Sequence, residues 1–317
     1  MKTQIIAPSD YAKAVTFLRS GEVVALPTET VYGLAADALN AIAVAKIFEA
    51  KGRPRFDPLI VHLPDREWLE KIADLSGLDR QLISRLTNIF WPGPFTIVLP
   101  KRGSIPEIVT ADLDTVAVRI SAHPIFREVI REFGGPLAAP SANRFGRISP
   151  TSAQDVREEL DGLVPLILDD GPTAHGLEST IVALRNGRVE VLRRGPITVE
   201  QLSEFGGVCV VSSGPHPEAP GQLPSHYAPH TPLIVVDDLA SFAPAVGQRC
   251  GFLQMRTLSE RGNSAEAASN FFRCLRELDR QGFDLIVAEK LPDEGLGAAI
   301  NDRLCRAATL DAQDTPG

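Results

Sequence analysis

Read for the alternation of apolar and polar positions, the 317-residue chain falls into three stretches. From Ile5 to about Val211, short β-branched apolar runs at 22–26, 59–62, 96–99, 115–119, 180–184 and 189–192 predict strands. Between them, apolar residues recur every three or four positions at 10–20, 38–50, 78–88, 124–133 and 152–160, the spacing of one helix face. This mixture predicts an α/β fold on a twisted mixed sheet. Residues 212–232 hold six prolines and keep neither periodicity, so they read as a linker. Beyond it, strands at 233–237, 250–254 and 284–288 and helices at 265–281 and 298–308 predict a small Rossmann-like α/β domain. No Gly-x-Gly-x-x-Gly opens its first helix, so no dinucleotide site is expected there. The expected division is therefore 1–211, 212–232 and 233–317.

Composition narrows the function. Hydrophobic residues at 44% and charged residues at 23% suit a packed globular protein rather than a disordered one. A net charge of -8 argues against sequence-independent binding of nucleic acid, which needs a basic face to displace counterions, so any anion site must be local. Direct nucleic-acid binding is expected to be weak or absent. The four cysteines, Cys209, Cys250, Cys274 and Cys305, form no Cys-x-x-Cys pair and read as reduced thiols. His216, His226 and His230 are irregularly spaced in the linker, and no metal site is expected there. No stretch approaches the length of a membrane span and residues 1–10 lack an apolar core behind a basic start, so the expected location is the cytoplasm.

Several segments carry groups that the predicted elements do not use up. Pro27-Thr28-Glu29-Thr30-Val31-Tyr32-Gly33-Leu34 follows a strand end, where open α/β sheets place ligands, although its threonines would also serve a tight turn. In Lys51-Gly52-Arg53-Pro54, Gly52 and Pro54 stop a helix, and alternation along an extended segment aims both cations to one side, where they could hold a triphosphate. Trp91-Pro92-Gly93-Pro94 reads as a rigid structural turn. Arg119 ends an apolar strand and needs an anionic partner, which a substrate carboxylate or an internal acid would supply. Pro140-Ser141-Ala142-Asn143, with Gly146 and Ser149-Pro150-Thr151, offers small polar groups and backbone amides suited to phosphate oxygens. His62 ends a strand, and Glu178-Ser179-Thr180 precedes one.

Together these segments resemble the YrdC-like threonylcarbamoyl-AMP synthase family in its longer, two-domain form. PTETVYGL at 27–34, KGRP at 51–54, PLIVH at 58–62, WPGP at 91–94, VAVR at 116–119, APSAN at 139–143, SPT at 149–151, EST at 178–180 and LRRG at 192–195 occur in family order, and HYAP at 226–229 and GLGAAINDRL at 295–304 resemble the long form. The resemblance implies that Lys51, Arg53, Ser141 and Asn143 surround the nucleotide phosphates as the catalytic tetrad. It implies threonine contacts from Thr30, His62, Arg119 and Ser179, and further ATP contacts from Thr115, Ser149, Arg194 and Tyr227, the last on a linker folded across the site. Three departures stand out: Asp57 where Asn or His is usual, Ser121 where proline is usual, and a linker without the Met-Lys-Tyr stretch.

The implied reaction joins L-threonine, bicarbonate and ATP, with magnesium, to give threonylcarbamoyl-AMP and pyrophosphate. The product would be handed to a tRNA threonylcarbamoyl transferase for the adenosine beside the anticodon. The alternatives weighed against it are an RNA-binding protein that uses the same basic concavity and a carbamoyl transferase acting on carbamoyl phosphate. Aromatic content of 6% disfavours the first, and the absence of a zinc-finger cysteine pattern disfavours the second.

Overall fold

The computed structural model describes residues 2–211 and 217–308. Eleven strands form one mixed sheet: Gln4–Ile6 (β1), Val24–Leu26 (β2), Gly33–Asp37 (β3), Ile60–His62 (β4), Phe95–Pro100 (β5), Thr115–Arg119 (β6), Leu137–Ala138 (β7), Leu166–Leu168 (β8), Thr180–Arg185 (β9), Arg188–Arg193 (β10) and Val208–Val210 (β11). Their order is β1-β8-β2-β3-β7-β4-β6-β5-β9-β10-β11. Alternation along a strand sends successive side chains to opposite faces, and β2 shows it. Val24 and Leu26 pack with the Tyr11–Arg19 and Pro124–Phe133 helices, whereas Ala25 joins the Ala41–Lys51 side. The expected twisted mixed sheet with helices is what the chain forms.

All six expected strands of the large sheet are present, but β1, β3, β7, β8 and β11 went unanticipated. The Gly-Leu-Ala-Ala-Asp run of β3 has no β-branched residue, so its local composition favours a helix. Burial against β2 and β7 overrides that preference. The Ala41–Lys51 helix therefore starts later than expected, where the Asn40 side chain accepts from the amides of Ile42 and Ala43. It stops at Gly52, whose φ of 61° lies in the left-handed region, and this leaves Lys51 on the last turn. The Trp91 turn is structural: the buried indole N–H donates to the Phe95 carbonyl at 2.7 Å.

Residues 233–289 carry a second sheet, in which Leu233–Val236 (β12), Cys250–Leu253 (β13) and Leu285–Glu289 (β14) run parallel in the order β12-β14-β13. The helices Ser264–Arg280 and Gly295–Ala308 cover it. Its core is continuous with the first part of the chain, since Val31, Ile148, Leu177 and Tyr227 pack into the same cluster as Phe271 and Phe272. Charge pairs fasten the seam, with Arg276 to Glu159 at 3.0 Å, Arg280 to Asp155 at 2.9 Å and Arg303 to Glu178 at 3.2 Å. At Gly176 (φ 65°) a Cβ would lie 2.3 Å from the Ser269 carbonyl oxygen, so only glycine permits this approach. Among the described residues no helix is long and apolar enough to cross a membrane.

A candidate nucleotide and amino-acid pocket

Strand direction gathers the site. β4 and β6 are parallel with His62 opposite Arg119, while β9 runs antiparallel to both and begins just after Ser179. β10 returns antiparallel to β9 and ends at Arg193, so all four residues reach the same edge of the sheet. The 27–34 and 139–143 motifs are stitched side by side: the Leu34 amide donates to the Pro140 carbonyl and the Ala142 amide to the Tyr32 carbonyl, each at 2.8 Å. The resulting pocket is lined by Thr30, His62, Arg119 and Ser179 at one end and by Arg53, Ser141, Arg193, His226 and Tyr227 at the other.

At the first end every charge is matched. Arg119 Nη2 donates to Glu29 Oε1 at 2.5 Å and Nη1 to Thr30 Oγ1 at 3.2 Å, and both residues are buried. Burial alone would raise the Glu29 carboxyl, but the Arg119 charge and the Ser121 hydroxyl hold it at about 2. Burial, reinforced by Arg119, lowers His62 to about 3, so its imidazole is neutral at physiological pH and serves as a hydrogen-bonding group, with Nδ1 lacking a partner among the described residues. Its ring packs on Phe126 with centroids 4.7 Å apart. Ser179 Oγ lies 2.8 Å from Thr96 Oγ1.

The second end carries a surplus of cations. Arg53 pairs with Asp57 at 2.9 Å and also donates to the Asp57 and Pro58 carbonyls. Burial pushes the Asp57 carboxyl up, against the Arg53 and Lys51 charges that hold it down. The acid at this unusual position is therefore met by an arginine. Lys51 does not line the pocket. Its ammonium lies beneath residues 141–143, donating to the carbonyls of Ser141 at 2.6 Å and Asn143, and burial lowers its pKa strongly. It shapes that segment from behind. The Asn143 amide donates to the Arg144 and Arg147 carbonyls at 2.7 and 2.8 Å.

Arg193 makes no direct ion pair among the described residues, although the Glu178 carboxylate, which also lines the pocket, and Asp57 lie close enough to feel its charge. It donates to the Ser179 carbonyl at 2.9 Å, the Ser179 hydroxyl at 3.1 Å and the Pro220 carbonyl at 3.2 Å, and among the described residues no carboxylate pairs with it. The expected residue, Arg194, is part-exposed and outside the lining. A bulge between Val191 and Arg193 resets which of two adjacent arginines faces inward, and neither spacing nor composition reveals a bulge. Thr115 also lies outside: it opens β6 opposite Pro100, about 13 Å along the strand from Arg119. Ser149 sits below the pocket and donates to Glu178, which Arg303 grips from the other side.

The linker closes the pocket. Tyr227, with φ of 68°, a backbone region that bulky residues avoid, is buried between His226 and Phe272, and the Arg303 guanidinium lies 5.5 Å from its ring. The Ala228 amide donates to the Gly146 carbonyl at 2.8 Å, and Arg306 donates to the Gln222 carbonyl at 3.0 Å. The free space left is about 40 Å³, room for a few waters. Glu29, Arg193, His226 and the Glu178–Arg303 pair were not singled out from sequence. Their one visible signal is position inside motifs already noted.

A covered, arginine-rich pocket at the strand ends of an α/β sheet, polar at one end and cationic at the other, defines an enzyme that brings a small polar acid to a polyanion. Comparison with known proteins is consistent with that class. The family described as Telomere recombination, which groups Sua5, YciO and YrdC proteins, matches residues 16–195, and the one described as Threonylcarbamoyl-AMP synthase, C-terminal domain, matches 197–309. The chain is 41% identical to the threonylcarbamoyl-AMP synthase of Bacillus subtilis, over 94% of this chain and 92% of that protein. It is 38% identical to the one of Pyrococcus abyssi, over 93% of each. The crystal structure of P. abyssi Sua5 complexed with L-threonine superposes with a TM-score of 0.89 at 36% identity, covering 97% of this chain and 98% of that one. The chain belongs to the Sua5/YciO/YrdC family, in the form that carries the C-terminal domain.

Proposed function

We propose that the chain is a cytoplasmic threonylcarbamoyl-AMP synthase, which joins L-threonine, bicarbonate and ATP and releases pyrophosphate. The observation that carries this reading is one pocket with a carboxylate-sized arginine fork at Arg119 and a second buried arginine, Arg193, that makes no ion pair among the described residues. Arg119 takes the threonine carboxylate, and Thr30, His62 and Ser179 surround its hydroxyl and amine. The deprotonated threonine nitrogen adds to carbon dioxide, losing a proton to solvent, or to bicarbonate, with loss of water, and either route gives the carbamate. The resulting carbamate oxygen attacks the α-phosphorus as the bond to the bridging pyrophosphate oxygen breaks. Arg53, Arg193 and Ser141 face the phosphates, where fixed donors stabilise developing charge. Asn143, expected beside them, lies outside the lining, with its amide turned to the Arg144 and Arg147 carbonyls, and holds that loop. Lys51 holds the 141–143 backbone in place for them.

Magnesium enters with ATP as part of that substrate. Among the described residues no three acidic, histidine or cysteine side chains gather to hold a metal. Residues 1–211 act as the catalytic unit and 233–317 as the support against which the linker, 212–232, closes. In this reading the linker, which places Gly221, His226 and Tyr227 in the pocket lining, opens to admit the nucleotide. The product passes to the transferase that modifies tRNA.

Mass spectrometry of a reaction with ATP, threonine, bicarbonate and magnesium tests this reading, with a threonylcarbamoyl adenylate as the expected product. Valine, which strands the donors around the hydroxyl, is expected to react at least about a hundredfold more slowly, and serine roughly tenfold. Equal pyrophosphate release with all three amino acids overturns the pocket assignment.

A further inference from the structure

We propose that Glu29 is a positioning residue for the reaction, a brace that fixes the Arg119 guanidinium before threonine arrives, and that Ser121 fixes Glu29 in turn. This rests on reading Arg119 as the anchor of the threonine carboxylate. Glu29 is buried directly behind Arg119 and does not line the pocket, so it acts through the arginine rather than on the substrate. One carboxylate oxygen accepts from Arg119 Nη2 and the other from Ser121 Oγ, each at 2.5 Å. Ser121 Oγ itself accepts from the His123 amide at 3.2 Å. The Glu29 carbonyl accepts from the His175 amide at 2.9 Å. The Glu29 main chain is thereby tied to the loop at His175, and its carboxylate, through Ser121, to the loop at His123.

The geometry explains why such a brace is useful. A guanidinium is a rigid planar fork, and two contacts on different nitrogens, Glu29 on Nη2 and Thr30 on Nη1, leave its plane a single orientation. Without them a buried arginine would turn toward nearby carbonyls, and part of the binding energy of threonine would go into turning it back. Ser121 is the part of the device that the sequence resemblance does not imply, since proline, usual at this position, has no hydroxyl to offer the carboxylate.

The test is steady-state pyrophosphate release by the full chain, with threonine varied at saturating ATP. Glu29→Asp keeps the charge but is one methylene too short to reach both Arg119 and Ser121, and is expected to raise the threonine KM about tenfold with kcat and the ATP KM moved less than about threefold. Glu29→Gln keeps the length and an acceptor at Arg119 but loses the charge, and is expected to raise the threonine KM about three- to fivefold, less than Glu29→Asp does. Ser121→Ala is expected to raise it about two- to threefold. A purely structural role for the buried charge pair reverses the first two results, because the amide loses the charge and the shorter acid keeps it. That reversed order, or an unchanged threonine KM in Glu29→Asp, overturns the proposal. Arg119→Lys separates the two levels: if it leaves the threonine KM unchanged, the reading of Arg119 is at fault, and if it raises the KM while Glu29→Asp does not, only the brace fails.

Discussion

The two ends of the pocket are built on opposite principles. At the threonine end every polar group belongs to the large sheet or its loops, and the one cation, Arg119, is already neutralised by Glu29. At the end proposed for the nucleotide Arg193 makes no ion pair among the described residues, and the cover comes from the linker and, through Arg303, from the last helix. The first end is finished before substrate binds, as suits a small ligand recognised by shape and a few hydrogen bonds. The second leaves Arg193 outside any ion pair, as suits the polyanion proposed to bind there, and it is covered by a separate segment of chain.

The largest effect is expected at the nucleotide end. Arg53→Ala removes a phosphate cation and leaves Asp57 buried without its partner, so pyrophosphate release is expected to fall roughly a hundred- to thousandfold. Stability is expected to fall by about 3 kcal/mol. Adding Asp57→Ala restores the melting temperature but not the rate. Recovery of both would place Arg53 in the scaffold rather than in the chemistry.

Next comes the choice between neighbours. Arg193→Ala is expected to raise the ATP KM or lower kcat by roughly ten- to a hundredfold, and Arg194→Ala by less than about threefold. Equal losses would mean that the bulge in β10 does not decide which arginine faces the phosphates.

The cover should respond to strain at the seam. Gly176→Val forces a side chain into the Ser269 carbonyl, so it should lower the melting temperature and raise the ATP KM several-fold while the threonine Kd changes little, measured by calorimetry. A threonine Kd that rises in step with the ATP KM would erase the distinction between the two ends.

The smallest effect is a pH dependence of stability. Folding lowers His62 from its usual 6.5 to about 3, so below pH 6.5 the unfolded chain takes a proton that the folded chain refuses. Stability from this group is full above pH 6.5 and is lost as pH falls toward 3, by at most about 1.4 kcal/mol per pH unit. His62→Gln should flatten the slope of denaturant stability between pH 6.5 and 5. It flattens only part of it, because burial also lowers His226.

How much was legible follows from where the information lies. Six β-branched strands and the five longer helices of the first part could be read because each repeats its pattern over several residues, whereas the four-residue helices Leu69–Ile72, Glu107–Thr110 and Val199–Leu202 are too short to do so. β3 and β7 could not: an alanine-rich run and a two-residue strand acquire their conformation from neighbours far off in sequence. Arg119 and His62 stood out because a charged or polar side chain at the end of an apolar strand has few uses. Glu29 did not, because its partner lies 90 residues away.

The sequence by itself determined six strands of the large sheet, the longer helices packed on it, the family, and seven side chains that line one pocket, Thr30, Arg53, His62, Arg119, Ser141, Ser179 and Tyr227. These rest on local periodicity and on motifs whose side chains stay with their strands. Only the tertiary structure decided that Arg193 rather than Arg194 faces inward, that Lys51 works from beneath the 141–143 segment, and that Glu29 and Ser121 stand behind Arg119. Those facts depend on a bulge, a helix end and strand pairings between distant residues, and burial selects such arrangements through contacts that no stretch of chain holds alone.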